Sequence, residues 1–265
     1  MKYSIILVDY SKQYAYYGFM SWIFQAYEDY EIILLTCNDK TRYEEQINKF
    51  SKKHIIIKRL NKPKLFNLSA FRNLGAFYSK GEYLLFAGVD IVGLKSTLRT
   101  LQNLNISTPE VVGHSTFITD TKVLDACVLG QSFDGIIFNK GQKNREGFKN
   151  KNSYGAIKYI KREDFINIGG YNSNILFHDD AEFDRRLARQ LTTNGNVELL
   201  NSKLFFKHVR SKREYATETH RSIIPTYIKN KNWKDLQNFD KGNVYELPKL
   251  NLNENFLMNK IYQER

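Results

Sequence analysis

The sequence predicts an α/β domain whose central sheet is mostly parallel and is flanked by helices. The first sign is the short apolar run "YSIILVDY" at residues 3–10, which is rich in the β-branched residues that strands favour. A second run, "EIILLTCND", follows at residues 31–39, and the apolar residues between the two recur at helical spacing. A strand, a helix and a strand in this order form a βαβ unit, the building block of parallel sheets.

The same alternation continues through the first hundred residues. A polar helix is predicted near residues 42–51, a strand at 54–60, a helix over 68–79 and a strand at 82–92. Proline and glycine residues separate these elements, as they commonly do at turns. Because the strands are continuous apolar runs, we expect both faces of the sheet to be covered.

Three aspartates fall at or near the carboxyl ends of the predicted strands: Asp9, Asp39 and Asp90. In open α/β sheets, ligands bind in the crevice outside those strand ends. A single Asp in such a place is most often a turn residue or a helix cap. Three of them around one crevice favour a polar site, and carboxylate oxygens are the ligands that Mg²⁺ and Mn²⁺ prefer.

Bulk composition limits the class of protein. The chain has 265 residues, of which 42% are hydrophobic, enough for one large domain or two small ones. The sequence has no apolar stretch of membrane-spanning length, and "MKYSIILVDYSKQ" lacks the features of a signal peptide, so we expect a cytoplasmic protein. Cys37 and Cys127 have no His or Cys nearby at ligand spacing, which argues against a zinc site or a disulfide framework.

The chain is strongly basic, with 40 Lys and Arg against 28 Asp and Glu and a formal net charge of +12. The excess is concentrated at residues 140–162, with eight basic residues and one Glu, and at residues 203–221, with six and two. A phosphate-bearing substrate, an anionic membrane surface and nucleic acid all have the right sign for a partner. A solvated Lys-rich surface explains the charge equally well.

Two blocks of the sequence resemble a known family. "FNLSAFRNLGAFYSKGEYLLFAGVDIV", residues 66–92, is similar to the segment of family 2-type GT-A glycosyltransferases that runs from an Arg-Asn-x-Gly helix to the Asp-x-Asp metal motif. "YIKREDFINIGGYNSNILFHDDAEFDRRL", residues 159–187, resembles the family block that contains Ile-Gly-Gly-Tyr and ends in Glu-Asp-x-Asp and Arg-Leu. The resemblance implies a Rossmann-like GT-A fold and the transfer of a sugar from a nucleotide-sugar donor.

The resemblance implies a donor site built largely from the first block. Asp90 matches the metal-binding Asp, and Mn²⁺ or Mg²⁺ together with basic groups would stabilise the charge of the leaving diphosphate. Asp39 matches the Asp that hydrogen-bonds the donor base, favouring a UDP-sugar, and Asp9 ends the first strand. Arg72 and Asn73 match the Arg-Asn pair near the diphosphate or base.

Other matches are less regular. Gly88 stands where the family has the first Asp of the metal motif, which weakens the match but keeps the Asp that contacts the metal directly. His208 matches a His that completes the metal shell in several such enzymes, although a surface or strand-end His fits equally well. Gly170 fits two roles, a turn that needs positive φ and a backbone close to the donor sugar.

The stretch "FHDDAEFDRRLARQL" at residues 177–191 is dense in charge. The resemblance places Asp180 on the general base, which takes the proton of the acceptor hydroxyl in an inverting transfer. Asp179 falls on the neighbouring acid, as an acceptor-binding residue or a helix cap. From Glu182 onward, the charges are interpreted as surface or salt-bridge residues on a solvated face, with Arg186 the exception left open.

These observations predict a GT-A glycosyltransferase domain at residues 1–210, with a nucleotide-binding half (1–104) and an acceptor-binding half (105–210). A helical or extended C-terminal extension follows at 211–265. The predicted function is transfer to a glycan or lipid-linked acceptor in bacterial-type surface polysaccharide synthesis, with contact to an anionic membrane surface at its inner face. The rival is a non-catalytic homologue that binds glycan or membrane. Nucleic acid is not expected, because the aromatic residues follow helix and strand periodicity.

Overall fold

A computed structural model of the chain describes residues 1–10, 15–49, 54–64, 66–89, 91–93, 95–104, 110–112, 115–118, 157–174, 179–180, 182–183, 186–187, 206–209 and 247–262. Most of the first basic cluster, at residues 140–162, lies outside these residues. So do most of the second basic cluster and the predicted boundary near residue 210. Within the described residues, no helix combines the length and the apolar character needed to cross a bilayer.

The first part of the chain alternates strands and helices as predicted. Its elements are β1 (Tyr3–Asp9), α1 (Ala15–Ile23), β2 (Tyr30–Thr36), α2 (Thr41–Lys49), β3 (Ile55–Arg59), α3 (Leu68–Tyr78), β4 (Tyr83–Gly88), β5 (Ile91–Val92) and α4 (Thr97–Leu104). The later described elements are β6 (Glu110–Val112), β7 (Ser115–Ile118), β8 (Ile157–Lys161), α5 (Arg162–Asn167), β9 (Phe206–Val209) and α6 (Glu254–Tyr262).

The main sheet has six strands in the order β3-β2-β1-β4-β8-β6. The first four are mutually parallel, whereas β8 runs antiparallel to β4 and β6 runs antiparallel to β8. The predicted α/β class with a mostly parallel sheet is therefore confirmed. The order in which the chain adds strands to the sheet switches sides between β1 and β4. In open α/β sheets, ligands bind at such a switch point, beyond the carboxyl ends of the strands.

Helices cover both faces of this sheet, so its central strands alternate between two apolar clusters. Ile5 and Leu7 of β1 lie in the cluster formed with α1 and α4, whereas Ile6 and Val8 lie in the cluster formed with α3. Every residue of β1 and β2 is buried. This explains why these strands are continuous apolar runs in the sequence.

The predicted single strand at 82–92 is in fact two strands. β4 ends at Gly88, and β5 begins at Ile91 in a separate three-stranded sheet with the order β5-β9-β7. Val89, between them, is 1% exposed, so the apolar run continues while the backbone changes partners. Apolar composition does not report which strand a residue pairs with, and the sequence alone therefore merged the two.

The C-terminal segment at 247–262 packs on the domain rather than away from it. α6 lies against α3, and its Leu257 and Ile261 belong to the same apolar cluster as Leu74 of α3. The backbone N–H of Leu250 donates to the carbonyl of Ile166, next to α5. The end of the described chain thus contributes to the core beneath α3.

Candidate functional site

Asp9, at the carboxyl end of β1, organises the loop that follows β2. Its side chain is 1% exposed, and its Oδ2 accepts hydrogen bonds from Thr36 Oγ1 at 3.1 Å, Asn38 Nδ2 at 2.8 Å and Tyr43 Oη at 2.7 Å. These donors come from the end of β2, the loop and α2. Asp9 therefore fixes the loop from which Asp39 projects.

Asp39 follows Asn38 directly and is exposed. A further hydrogen bond holds this loop in place: the backbone N–H of Asn38 donates to Thr36 Oγ1 at 3.0 Å. An exposed carboxylate on a hydrogen-bonded loop beyond the carboxyl end of β2 can accept hydrogen bonds from a ligand. Its assignment to the donor base stays a prediction.

Arg72, in the second turn of α3, lies between two adjacent aspartates. Its Nη1 donates to Asp179 Oδ2 at 3.0 Å and to Asp180 Oδ1 at 2.6 Å. The ring of Tyr171 lies against the guanidinium, with 4.6 Å between Cζ and the ring centroid. The side chain of Asp180 is 38% exposed and that of Asp179 is 12% exposed. Asp180 is thus the carboxylate that a second molecule can reach.

One guanidinium serves two carboxylates, which leaves Asp179 only partly compensated. Burial, followed by the charge of Asp180, raises the pKa of Asp179 to about 6, although Arg72 acts in the opposite direction. Burial also lowers the pKa of Arg72, but the charge of Asp180 leads the effects that outweigh it, and the net shift is upward. Arg72 stays protonated between an enclosed carboxyl group that titrates near neutrality and an accessible one.

Gly169 and Gly170 form a turn in the left-handed region, with φ of +83° and +64°. Asn73 clamps this turn: its Oδ1 accepts from the N–H of Tyr171 at 2.9 Å, and its Nδ2 donates to the carbonyl of Tyr171 at 2.8 Å. A Cβ on Gly170 would lie 2.7 Å from Asn73 Oδ1. The two residues therefore hold one another, and their predicted donor contacts stay predictions.

Arg186 links this turn to the helical residues 179–180, 182–183 and 186–187, which we name the acidic helix. It is fully buried, and its Nε and Nη2 donate to Glu182 at 2.7 Å and 3.0 Å. Nη2 also donates to the carbonyl of Gly170 at 2.6 Å, and Nη1 donates to that of Ile168. The interpretation of Glu182 as part of a solvated face is wrong, because Glu182 is 1% exposed.

The physical reason is that the face of the acidic helix that carries Glu182 and Arg186 points into the core. Residues 179–180, 182–183 and 186–187 are helical, and the side chains of Phe183 and Leu187 are buried beside those of Glu182 and Arg186. The i, i+4 spacing of Glu182 and Arg186 was the signal for an internal ion pair. The sequence could not show that this pair faces the core. Asp184, Arg185 and Arg189 lie outside the described residues.

The family follows from this architecture and from sequence comparison. Residues 14–169, more than half of the chain, match the model of the Glycosyl transferase family 2. The chain belongs to this family. A comparison with curated proteins gives no match.

Solved structures share the fold of this family 2 member at low sequence identity. TarS 1–349 from S. aureus has a TM-score of 0.57 and 13% identity, and the match covers 79% of this chain and 60% of that one. The same fragment in complex with UDP-GlcNAc has a TM-score of 0.55 and 14% identity, covering 81% and 60%.

A mannosyltransferase structure also shares the fold. The mannosyltransferase PcManGT from Pyrobaculum calidifontis, in complex with GDP-Man and Mn²⁺, has a TM-score of 0.51 and 14% identity, covering 81% of this chain and 58% of that one. The chain thus spans about three fifths of the length of these structures. The predicted GT-A fold is confirmed.

The predicted metal ligands are Asp90 and His208. Asp90 lies outside the described residues, and of His208 the structure describes the backbone. Ile91, which follows Asp90, pairs with His208 across β5 and β9. No cluster of three or more His, Cys, Asp or Glu side chains suited to a metal occurs among the described residues, which do not include these two side chains. The metal site stays a prediction.

Helix α1 holds the segment that surrounds Asp90. The carbonyl oxygen of Val89 lies where a Cβ on Gly18 would be, so the helix backbone packs directly on this segment. The N–H of Gly93 donates to Ser21 Oγ at 2.9 Å. Gly18 and Ser21 were not predicted as site residues. A glycine within an apolar helix is the one sequence signal of such a close approach.

Proposed function

We propose that this protein is an inverting, metal-dependent glycosyltransferase that moves a sugar from a nucleotide donor to a hydroxyl of a glycan or lipid-linked acceptor. The synthesis of a bacterial-type surface polysaccharide is the proposed setting. The observation that carries the proposal is the group formed by Arg72, Asp179 and Asp180, in which one carboxylate is enclosed and its neighbour is accessible. Family membership supports it.

Asp180 is the proposed general base. As the acceptor oxygen forms its bond to the anomeric carbon, the hydroxyl proton passes to the Asp180 carboxylate. The bond from the anomeric carbon to the diphosphate oxygen breaks, and the nucleoside diphosphate leaves with the electron pair. Arg72, 2.6 Å from Asp180, favours the ionised carboxylate that this role requires. A single base is enough for inversion, and no covalent intermediate is needed.

Asp9 and Asp39 form the proposed nucleoside side of the site. The three hydrogen bonds to Asp9 hold the loop in place, and exposed Asp39 accepts from the base of the donor. The similar TarS and PcManGT structures are complexes with UDP-GlcNAc and GDP-Man, respectively. These ligands support a nucleotide-sugar donor, and the Asp39 match favours UDP.

Arg72 is also proposed to contact the donor. Among the described residues, its hydrogen bonds all involve Nη1, which leaves Nε and Nη2 for a phosphate oxygen. Asp90 and His208 would hold Mn²⁺ or Mg²⁺, which would offset the negative charge of the diphosphate. The pairing of Ile91 with His208 supports this ligand set. The net charge of +12 supports peripheral contact with an anionic membrane surface.

A panel of UDP- and GDP-sugars, with and without Mn²⁺, tests the proposal by calorimetry and by donor hydrolysis or transfer. Asp180→Asn should lower turnover by at least about a hundredfold while donor affinity changes by less than about twofold. Glu163→Gln is the matched control, because that carboxylate is exposed on α5 and pairs only with Lys161 at 3.6 Å among the described residues. It should leave turnover unchanged.

The panel also separates the rival function. Donor binding without turnover by the wild-type chain would favour the non-catalytic homologue that Gly88 suggests. If no nucleotide sugar binds under any metal condition, the enzyme proposal is wrong.

A further inference from the structure

We propose that residues Leu247 to Leu250, which we name the C-terminal strap, position the catalytic carboxylate by locking the turn at Gly169 and Gly170. The inference rests on the proposed role of Asp180 as the base. It assigns a part in the reaction to a segment that follows Asp180 by more than sixty residues and lies beyond the stretch that matches the family.

The strap fills the space that a side chain on either glycine would need. A Cβ on Gly169 would lie 2.6 Å from Leu247 Cβ and 2.6 Å from the carbonyl oxygen of Pro248. A Cβ on Gly170 would lie 2.9 Å from Leu250 Cδ2. The N–H of Leu250 is anchored to the carbonyl of Ile166 at 2.9 Å. The strap therefore closes the outer side of the turn, where a side chain would otherwise project.

The inner side of the same turn is tied to the acidic helix. Arg186 donates to the carbonyls of Ile168 and Gly170, and it pairs with Glu182 one turn away. The helical residues Glu182 and Asp180 are two positions apart, so a shift of the turn moves Arg186 and, with it, the segment that carries the base. No other described charged side chain donates to Gly170 O.

The turn is also tied to α3, which carries Arg72, the partner of Asp180. Asn73 makes a reciprocal pair of hydrogen bonds with Tyr171, whose ring lies against the guanidinium of Arg72. Two successive glycines at positive φ have little intrinsic stiffness, so their geometry depends on what packs around them. Asn73 and Arg186 hold two sides, and the strap supplies the third.

Leu250→Ala in the full chain tests the inference, with Ile261→Ala as the matched control. Ile261 is 2% exposed in α6, at the far end of the same C-terminal segment, so its truncation destabilises the core and leaves the strap residues that lie against Gly169 and Gly170 unchanged. Leu250→Ala should lower kcat by about tenfold or more with donor affinity within about twofold, since small misplacements of a base are costly. Ile261→Ala should lower the Tm at least as much and leave kcat within about twofold.

A second readout does not depend on activity. Hydrogen exchange of peptides covering residues 166–173 and 179–187 should accelerate in Leu250→Ala and stay at the wild-type rate in Ile261→Ala. Leu250→Val, a smaller truncation, serves where the alanine variant does not accumulate, and it should show the same pattern at lower amplitude.

Two results would overturn the inference: unchanged exchange in Leu250→Ala, or equal losses of kcat in both variants at matched Tm loss. A wild-type chain without turnover would refute the proposed function and not the strap, because the exchange comparison still decides whether the strap locks the turn.

Discussion

Replacing Arg72 by Met removes one positive charge from between two carboxylates and leaves a shorter, unbranched apolar side chain. Arg72 is 8% exposed, and its bonds to Asp179 and Asp180 measure 3.0 Å and 2.6 Å. Breaking a buried ion pair by removing one partner costs about 3–5 kcal/mol, because the other charge remains buried. The 38% exposed side chain of Asp180 regains water, so we assign most of this cost to Asp179.

The loss of unfolding free energy in Arg72→Met should increase with pH, because Asp179 becomes ionised as the pH rises. Its pKa of about 6 lies above the ordinary value of 3.8, so the folded state binds its proton more tightly, and stability is lost as pH rises through this interval. Without Arg72, the pKa of Asp179 rises further and the loss extends to higher pH. The deficit of Arg72→Met should grow by at most about 1.4 kcal/mol per pH unit, from about 1–2 kcal/mol near pH 5 to about 3–5 kcal/mol near pH 8.

Urea denaturation of the wild type, Arg72→Met, Asp179→Asn and the double variant across this pH range measures the effect. The double variant should recover most of the cost at high pH, because no buried charge is then left unpaired. Lys2→Met, which breaks an exposed pair with Glu82 at 2.9 Å, is the control and should cost less than about 1 kcal/mol at every pH. A deficit that does not change with pH, or one equal to the control, would refute this electrostatic account.

Two glycine substitutions give further expectations. Gly170→Ala should destabilise the fold by about 1–3 kcal/mol in urea denaturation, because Ala is strained at φ +64° and its Cβ would meet Asn73 Oδ1. An unchanged denaturation midpoint would count against the clamp that Asn73 forms on this turn. Gly18→Ala should weaken Mn²⁺-dependent donor binding in calorimetry by displacing Val89, whereas the control Gly75→Ala, which meets Ile6, should lower the Tm without changing metal dependence.

Periodicity predicted the helices and strands of the first hundred residues because those elements are buried on characteristic faces. β1 and β2 are buried at every residue, and α3 has its predicted start at Leu68, where the side chain of Asn67 caps the helix by accepting from the N–H of Ala70. Both signals are local. A continuous apolar run and a capping residue are readable without knowing which element packs against which.

The features that the sequence did not predict are those decided by partners distant in the chain. The break between β4 and β5 depends on β9, more than a hundred residues later. The burial of Glu182 depends on Arg186 reaching the carbonyls of Ile168 and Gly170. A charged residue is normally solvated, and only the tertiary fold shows that this pair satisfies itself internally.

The choice between the two adjacent aspartates illustrates the same limit at the level of chemistry. In the sequence, Asp179 and Asp180 are equivalent acids, and only the resemblance separates their roles. In the fold, Arg72 and Ser69 contact Asp179 on the enclosed side, whereas Asp180 shares Arg72 and faces outward. A general base must be ionised and must reach its substrate. Asp179 is disfavoured on the first count because burial raises its pKa, and on the second because its side chain is only 12% exposed. Arg72 is thus a fixed charge shared by the enclosed acid and the accessible one, and these different surroundings support the different roles proposed for two identical residues.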